Sequence, residues 1–179
     1  MTTLALARAG KIRLMGFDVD GVLTDGRLYF SAEGDVMKAF HSRDGLGMKL
    51  LANAGIRLAL ITGRKSALVD RRAENLGIDL VFQGVEDKRA VMAELLAREG
   101  LDFAQAGYMG DDVVDLAIMG ACGFAATVPD AHPLVKQQAH YVACNAAGLG
   151  AVREVCELIL RAQGRFDEVL APHLGIGPG

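Results

Sequence analysis

The chain has 179 residues, which is enough for one compact domain with a hydrophobic core. Hydrophobic residues make up 51% of it and aromatic residues only 6%, so we expect an interior built from aliphatic side chains. The net charge is −3 and no basic stripe with interleaved aromatic residues occurs, which argues against a nucleic-acid-binding surface. No apolar run reaches the roughly 20 residues of a membrane span. Three cysteines without a close pair are typical of reduced thiols, and we predict a cytoplasmic protein with no membrane partner.

Strand and helix patterns alternate along the chain to about residue 163. The predicted strands are short apolar runs that end in glycine or polar residues: 12–17, 56–61, 80–82, 106–109, 124–128 and 141–144. The predicted helices carry end signals or amphipathic stripes: 44–54, 66–77, 87–99, 113–120, 132–139 and 151–162. Residues 27–31 and 36–41 flank a polar turn and predict a β-hairpin.

This alternation predicts the fold class. Strand–helix units with short connections favour an α/β fold, a Rossmann-like doubly wound parallel sheet with helices on both faces. We expect the hairpin to form a flap, and no insertion is long enough for a large cap domain. The chain then divides into an N-terminal extension over 1–10, one domain over 11–163 and a flexible C-terminal tail over 164–179.

Two carboxylates follow the first predicted strand. Asp18 and Asp20 start from the same face, because side chains alternate along an extended chain. Ligands bind at the carboxyl ends of strands in open α/β sheets. Two adjacent acids repel each other, and a hard divalent cation such as Mg²⁺ is the simplest partner that offsets their charge. The pair therefore predicts a magnesium site at this edge of the sheet.

Further polar residues follow other strands at the same edge. Thr62 follows the second buried strand, Lys88 starts the helix after the third, and Asp111 and Asp112 follow the fourth. Each also has a plain structural interpretation, as a helix cap for Asp112, a strand-end hydroxyl for Thr62 and a solvated amine for Lys88. Four segments that deliver polar groups to one edge favour a functional site over these alternatives.

The set fits the hydrolysis of phosphate monoesters. Asp18 can act as nucleophile, and Asp20 as general acid and base. Asp18, Asp20 and Asp111 can hold Mg²⁺, which screens the repulsion between carboxylate and phosphate. Thr62 and Lys88 can bind phosphoryl oxygens while charge moves in the transition state. The residues with a supporting role are Asp112 and Asp115.

These residues resemble the four motifs of the haloacid dehalogenase-like phosphohydrolase superfamily. Residues 17–24 match hydrophobic-Asp-x-Asp-Gly-x-x-Thr and 110–115 match Gly-Asp-Asp-x-x-Asp, with Thr62 and Lys88 between them in the family's order. The second Asp of the first motif implies phosphatase chemistry rather than dehalogenation. Most members carry a large cap domain, whereas this chain has only a predicted hairpin and one helix before Thr62. It is therefore similar to the capless members.

Residues 20–26, 62–66 and 150–157 resemble more closely the 3-deoxy-D-manno-octulosonate 8-phosphate phosphatases of lipopolysaccharide sugar synthesis. This resemblance implies a small phosphorylated sugar acid as substrate, Mg²⁺ as cofactor and an aspartyl-phosphate intermediate. It also implies a homotetramer in which a neighbouring subunit closes the active site, and a C-terminal tail that can reach a neighbour's site. The positions that match the family's substrate contacts are His41, Ser42, Arg43, Asp44, Gly45, Lys49, Arg64, Arg72 and Lys88.

Two alternatives stay open at this point. A nonulosonate 9-phosphate phosphatase of capless design shares the chemistry and differs in the residues that select the length of the sugar acid. A non-catalytic oligomerisation domain of the same fold is the other alternative, since such domains occur fused to sugar-nucleotide synthetases. The complete set of acidic motifs argues against the second alternative.

Overall fold

The structure, a computed structural model, describes residues 3–175. Its strands are β1 (Leu14–Phe17), β2 (Tyr29–Ser31), β3 (Gly34–Met37), β4 (Arg57–Thr62), β5 (Leu80–Gln83), β6 (Ala106–Met109), β7 (Phe124–Thr127) and β8 (Tyr141–Val142). Its helices are α1 (Thr3–Ala9), α2 (Ser42–Asn53), α3 (Ala67–Leu76), α4 (Lys88–Glu99), α5 (Leu116–Ala121), α6 (Pro133–Gln138), α7 (Ala151–Ala162) and α8 (Phe166–Leu170). Short 3₁₀ helices cover Phe103–Gln105, Val113–Asp115 and Ala171–Leu174. Within residues 3–175, no helix combines the length and the apolar character that crossing a membrane requires.

Six strands form one parallel sheet in the order β5-β4-β1-β6-β7-β8. The chain moves from β1 to β4 and β5, then crosses back to β6, β7 and β8. Right-handed crossovers therefore place α2 and α3 on one face and α4, α5 and α6 on the other. Helix α7 packs on α2 and α1. The direction reverses at β1, and ligands bind outside the carboxyl ends of the strands at such a point. The predicted doubly wound α/β fold is confirmed.

Strands β2 and β3 form a separate antiparallel hairpin, as the sequence predicts. Both strands are shorter than the predicted ranges 27–31 and 36–41, β3 begins two residues earlier than predicted, and the pairing register shifts between Tyr29 and Phe30. Between β1 and β4 the chain has only this hairpin and α2. The prediction that no large cap domain is present is therefore confirmed.

The two ends of the domain differ from the sequence-based expectation. Helix α1 is part of the domain rather than an extension, because Ala9 is fully buried and the helix packs on α7 and β7. Helix α8 lies within the predicted flexible tail over 164–179, and its Phe166 packs against the core. Residues 176–179 lie outside the described residues, and the flexibility of the tail stays a prediction.

Asp44 connects two helices of one face. Helix α2 is capped by His41, which accepts the Arg43 N–H at 3.2 Å. The Asp44 carboxylate is buried and accepts the backbone N–H groups of Gly150 at 3.2 Å and Arg153 at 2.7 Å. It thus caps α7 from α2, since Gly150 at the start of α7 has no side chain for this purpose.

We expect Asp44→Ala to lower the free energy of unfolding by about 2 kcal/mol, because two N–H groups of α7 lose their charged acceptor. Urea denaturation monitored by circular dichroism measures this change. Asp44→Asn keeps one carbonyl oxygen and should lose about half as much. Asp130 is exposed, and Asp130→Ala serves as the matched control. Equal losses in Asp44→Ala and Asp130→Ala would contradict the capping role.

Candidate active site

Asp18 stands directly after the central strand. Its backbone N–H donates to the Met109 carbonyl of β6 at 2.9 Å, and its Oδ1 accepts the Val19 N–H at 2.8 Å. The chain then turns tightly, with the Leu23 N–H donating to the Val19 carbonyl at 2.9 Å. Asp18 is only 7% exposed. The turn therefore fixes the carboxylate at the carboxyl end of β1 and leaves its Oδ2 for other partners.

Lys88 reaches Asp18 from the first turn of α4. Its Nζ lies 3.0 Å from Asp18 Oδ2 and 2.7 Å from Asp115 Oδ1. The hydroxyl of Tyr108 is within hydrogen-bond distance of the same Asp115 oxygen, at 3.3 Å. The other Asp115 oxygen accepts the backbone N–H of Asp111 at 3.0 Å. Both oxygens of Asp115 are therefore engaged within the protein, and its role is to hold the Lys88 amine and the loop after β6.

Asp111 supplies a second carboxylate beside Asp18. Carboxylate oxygens of Asp18, Asp111 and Asp115 lie within 4.8 Å of one another. The Asp111 Oδ1 atom is buried and has no hydrogen-bond partner within residues 3–175. Gly21 makes room for this carboxylate, because a Cβ atom there would lie 2.2 Å from Asp111 Oδ2. Carboxylate oxygens are the ligands that Mg²⁺ prefers, so Asp18 and Asp111 fit a magnesium ion.

The crowding of acids changes their pKa values. Burial, followed by the charge of Asp115, raises the pKa of Asp18 to about 6, although Lys88 opposes the shift. Burial, followed by the charges of Asp18 and Asp115, raises the pKa of Asp111 to about 7. Burial alone would lower the pKa of Lys88, but the two carboxylates around it outweigh this effect and raise it. One ammonium group does not balance this many acids, so a further cation is strongly favoured here.

These groups border a cleft of about 400 Å³. Its lining residues come from the ends of β1, β4 and β5 and from the 3₁₀ helix after β6: Asp18, Asp20, Thr62, Gly63, Arg64, Val85, Glu86, Lys88 and Val114. Phe17 pairs with Leu60 in the sheet, and this register places the buried Thr62 beside the turn that carries Asp18. The structure thus brings the four residues predicted to be catalytic into one cleft, with Asp111 beside Asp18.

Asp20 lines the cleft but has other partners. Its Oδ1 pairs with the Nζ of Lys38 from the hairpin, and its Oδ2 lies 3.8 Å from the Nε of Arg64. In the part of the chain that the structure describes, its carboxylate does not belong to the group formed by Asp18, Asp111 and Asp115. The predicted roles of Asp20, in metal binding and as acid and base, stay predictions.

Among residues 3–175, Arg64 and Lys88 are the predicted substrate contacts that line the cleft. The others lie in or before α2 and on α3: His41, Ser42, Arg43, Asp44, Gly45, Lys49 and Arg72. Arg72 donates to the His41 carbonyl at 3.1 Å and stacks over the Phe40 ring at 5.5 Å. Within one subunit, Arg72 joins α3 to the start of α2, and its contact with a substrate stays a prediction.

Three further residues clarify what sequence reasoning can find. Asp112 is exposed and caps the 3₁₀ helix that follows, accepting the Val113 N–H at 2.7 Å, which agrees with its plain structural interpretation. Tyr108 is not identified from the sequence. A tyrosine hydroxyl in a buried strand requires a hydrogen-bond partner, and this requirement could have identified the residue. Lys38 is also missed, because its contact with Asp20 depends on how the hairpin folds back, which no local pattern reveals.

No protein-family model matches the chain. A curated relative, the 3-deoxy-D-manno-octulosonate 8-phosphate phosphatase of Yersinia pestis, is 45% identical over 162 residues, which are 90% of this chain and 87% of the relative. This chain belongs to the 3-deoxy-D-manno-octulosonate 8-phosphate phosphatase family. The resemblance noted in the sequence is therefore confirmed.

Solved structures agree with this assignment. The phosphatase of the same description from Moraxella catarrhalis, in complex with magnesium ion, phosphate ion and a KDO molecule, is 42% identical with a TM-score of 0.93. The match covers 97% of this chain and 99% of that chain. A Legionella pneumophila structure, described as a HAD superfamily (subfamily III A) hydrolase, is 40% identical with a TM-score of 0.91 and coverages of 96% and 94%.

The excess of negative charge at Asp18 and Asp111 should lower the stability of the metal-free protein. Without metal, at pH 8, Asp111→Asn should stabilise the protein by about 1 kcal/mol and raise the Tm by about 2–4 °C, because it removes one of the mutually repelling carboxylates. Saturating Mg²⁺ should raise the Tm of the unmodified protein by roughly 5 °C or more and that of Asp111→Asn by little. Differential scanning fluorimetry with and without Mg²⁺ measures both effects.

The matched control is Asp167→Asn, which changes an exposed Asp on α8. It should leave both the metal-free Tm and the response to Mg²⁺ unchanged. If Mg²⁺ stabilised Asp111→Asn as strongly as the unmodified protein, the candidate metal position would be wrong.

Proposed function

We propose that this protein hydrolyses 3-deoxy-D-manno-octulosonate 8-phosphate (KDO 8-phosphate) to the free sugar acid and phosphate, with Mg²⁺ as cofactor. The observation that carries the proposal is the buried carboxylate of Asp18, which lies 3.0 Å from the Lys88 ammonium and beside Asp111. The relatives named for this activity supply the substrate, and the Moraxella catarrhalis complex contains phosphate, KDO and magnesium.

Asp18 is the nucleophile in this proposal. One of its oxygens forms a bond to phosphorus while the bond between phosphorus and the sugar oxygen breaks, which leaves an aspartyl-phosphate. Mg²⁺, when held by Asp18 and Asp111, offsets the repulsion between the carboxylate and the phosphate. Lys88 and Thr62, on the walls of the same cleft, bind the phosphoryl oxygens as their charge increases. Asp115 keeps the Lys88 amine in place through its 2.7 Å contact.

Asp20 moves the proton in both steps. It gives a proton to the sugar oxygen as that oxygen leaves. It then takes a proton from the water whose oxygen bonds to phosphorus while the bond between phosphorus and Asp18 breaks, which frees the Asp18 carboxylate and phosphate. Its position on the cleft wall, separate from the oxygens of Asp18 and Asp111, supports this division of roles. The proton given in the first step is recovered in the second, so Asp20 returns to its starting state.

Arg64 supports a substrate that carries a second anionic group. It lines the cleft and its side chain is 41% exposed, so its guanidinium can meet a carboxylate near the mouth. A nine-carbon sugar acid 9-phosphate has the same two anionic groups at a different spacing. A comparison of kcat/KM between the eight-carbon and the nine-carbon sugar acid phosphates therefore decides the length of the sugar acid in the substrate.

We also propose a homotetramer in which a neighbouring subunit closes the cleft. The hairpin and the residue before it carry exposed apolar side chains, with exposed fractions between 37% and 59%: Leu28, Tyr29, Phe30, Val36 and Met37. An exposed apolar patch on a short two-stranded sheet favours pairing with another copy. A neighbour seated there would stand beside the cleft, since Arg64 on the cleft wall lies over the Phe30 ring at 5.2 Å.

The proposed cellular setting is the bacterial cytoplasm, in the synthesis of lipopolysaccharide sugars. The named relatives come from bacteria that include Yersinia pestis and Escherichia coli. Cys122, Cys144 and Cys156 are free thiols, as is usual in a reducing compartment.

The reaction itself is tested by phosphate release. The unmodified protein with Mg²⁺ should release phosphate from KDO 8-phosphate, with a higher kcat/KM than from a nonulosonate 9-phosphate. Asp18→Asn should lower kcat/KM by at least about 10³-fold, because an amide is not a nucleophile for phosphorus. Chelation of the metal should abolish release, and a malachite-green assay with purified substrates measures all of these rates.

Asp79→Asn is the matched control, since Asp79 is exposed and lies just before β5 at the other end of the sheet. It should retain full activity. Equal rates for Asp18→Asn and the unmodified protein would rule out the covalent mechanism. A preference for the nine-carbon substrate would assign the chain to the alternative phosphatase class.

The tetramer is tested at the hairpin. Val36→Glu places a charge on a side chain that is 59% exposed in the single subunit, and it should convert the tetramer to smaller species. Light scattering coupled to size-exclusion chromatography measures the mass. Leu134→Glu, at a 51% exposed position on α6, should leave the mass unchanged. A tetramer that persists in Val36→Glu would contradict the proposed interface.

A further inference from the structure

The hairpin brings a buried lysine against Asp20. Lys38 follows β3 directly, and its side chain is only 2% exposed. Its Nζ pairs with Asp20 Oδ1, and an oxygen of Asp35 lies 4.0 Å from it. Lysine is rarely buried this deeply unless it is paired, because an isolated charge is costly to remove from water. The position of Lys38 is therefore tied to these two acids.

Arg64, which follows β4, completes the group. Its Nη2 lies 3.5 Å from Asp35 Oδ1 and its Nε lies 3.8 Å from Asp20 Oδ2. We name the four charged residues Asp20, Lys38, Asp35 and Arg64 the hairpin cluster. The cluster has two acids and two cations, and it joins the hairpin to the turns after β1 and β4.

We propose that Lys38 is a positioning residue for Asp20, so that the hairpin of each subunit belongs to its own catalytic machinery. The inference rests on the proposed phosphatase function, because it gives Lys38 a role in that reaction. Lys38 holds Asp20 Oδ1, whereas Asp20 Oδ2 has no hydrogen-bond partner among the described residues 3–175. One oxygen is thus anchored, and the other keeps its capacity to exchange a proton with the leaving group or with water.

The effect of losing the Lys38 contact on the reaction rate depends on the leaving group of the substrate. In the first step the bond between phosphorus and the leaving oxygen breaks as Asp18 bonds to phosphorus, and a proton moves from Asp20 to that oxygen. A sugar alkoxide needs this proton, whereas p-nitrophenolate leaves as a stable anion without it. A displacement of about 1 Å in a catalytic group can cost roughly 10²-fold in rate. Without the Lys38 contact, Asp20 should therefore protonate the leaving oxygen poorly. The rate should then fall for sugar phosphates but not for p-nitrophenyl phosphate.

The test compares Lys38→Met with the unmodified enzyme, both loaded with Mg²⁺. The measured quantity is kcat/KM, which reports the steps up to formation of the aspartyl-phosphate, for KDO 8-phosphate and for p-nitrophenyl phosphate. We expect a loss of about 10²-fold with KDO 8-phosphate and less than about 3-fold with p-nitrophenyl phosphate. Lys38→Arg retains a cation and should recover at least about 10-fold of the loss with KDO 8-phosphate.

Lys11→Met is the matched control, because Lys11 is exposed and precedes β1 at the amino end of the sheet. It should leave both rates unchanged. Equal losses of Lys38→Met on the two substrates would show a merely structural ion pair and overturn the inference, as would unchanged rates. If Lys38→Met does not fold, Lys38→Gln replaces it, since its shorter amide side chain keeps a polar group at this buried position but loses the ammonium contact with Asp20, and it must show the same dependence on the leaving group.

The failure of this inference is distinct from that of the proposed function. If the unmodified enzyme with Mg²⁺ hydrolysed neither substrate, the proposed function itself would be refuted. An active enzyme whose Lys38→Met variant kept its preference between the two substrates would refute only the role of Lys38.

Discussion

The active-site end of this fold depends on one buried ammonium group among more carboxylates than it can balance. Lys88 contacts Asp18 and Asp115, and the carboxylate of Asp111 stands beside them without an ion-pair partner among residues 3–175. Burial and mutual repulsion raise the pKa values of Asp18 and Asp111, which is the electrostatic sign of this excess.

Several uncharged features exist to accommodate this crowding. Gly21 has a φ of 91° and leaves the space that the Asp111 carboxylate occupies. Gly110 does the same for Asp115, because a Cβ atom there would lie 2.4 Å from its carboxyl carbon. Tyr108 is fully buried in β6 and places its hydroxyl near Asp115. The glycines of both acidic motifs are therefore required by the packing of the acids, and not only by the turns in which they lie.

Local patterns predict the elements whose stabilising contacts are local or periodic. Helix α7 begins and ends at the predicted residues, because its apolar stripe packs on α2 and α1. The position of Thr62, Lys88 and Asp111 at one edge of the sheet follows from the parallel topology alone. Asp44 shows the limit of this reasoning, since its acceptor role joins it to Gly150, 106 residues away. No pattern within α2 distinguishes such a long-range cap from a local one.

The short helix near the chain end shows the same limit. The tail is glycine-rich at its end, which favours irregular structure, and this composition hides the short helix α8 before it. That helix is stabilised by tertiary contacts, with Phe166 packed against the core and Arg165 donating to the Ala54 carbonyl. A helix of five residues is too short to be stable by itself, so only its surroundings determine that it forms.

The charged residues of the cleft form two groups that differ in net charge. Asp18, Asp111 and Asp115 outnumber Lys88, so this group favours an added divalent cation. The hairpin cluster, with two acids and two cations, balances itself and gives no comparable attraction for a metal ion. A cation drawn into the cleft is therefore directed to the oxygens of Asp18 and Asp111. In the proposed mechanism, the hairpin can then hold Asp20 through Lys38 without competing for that cation.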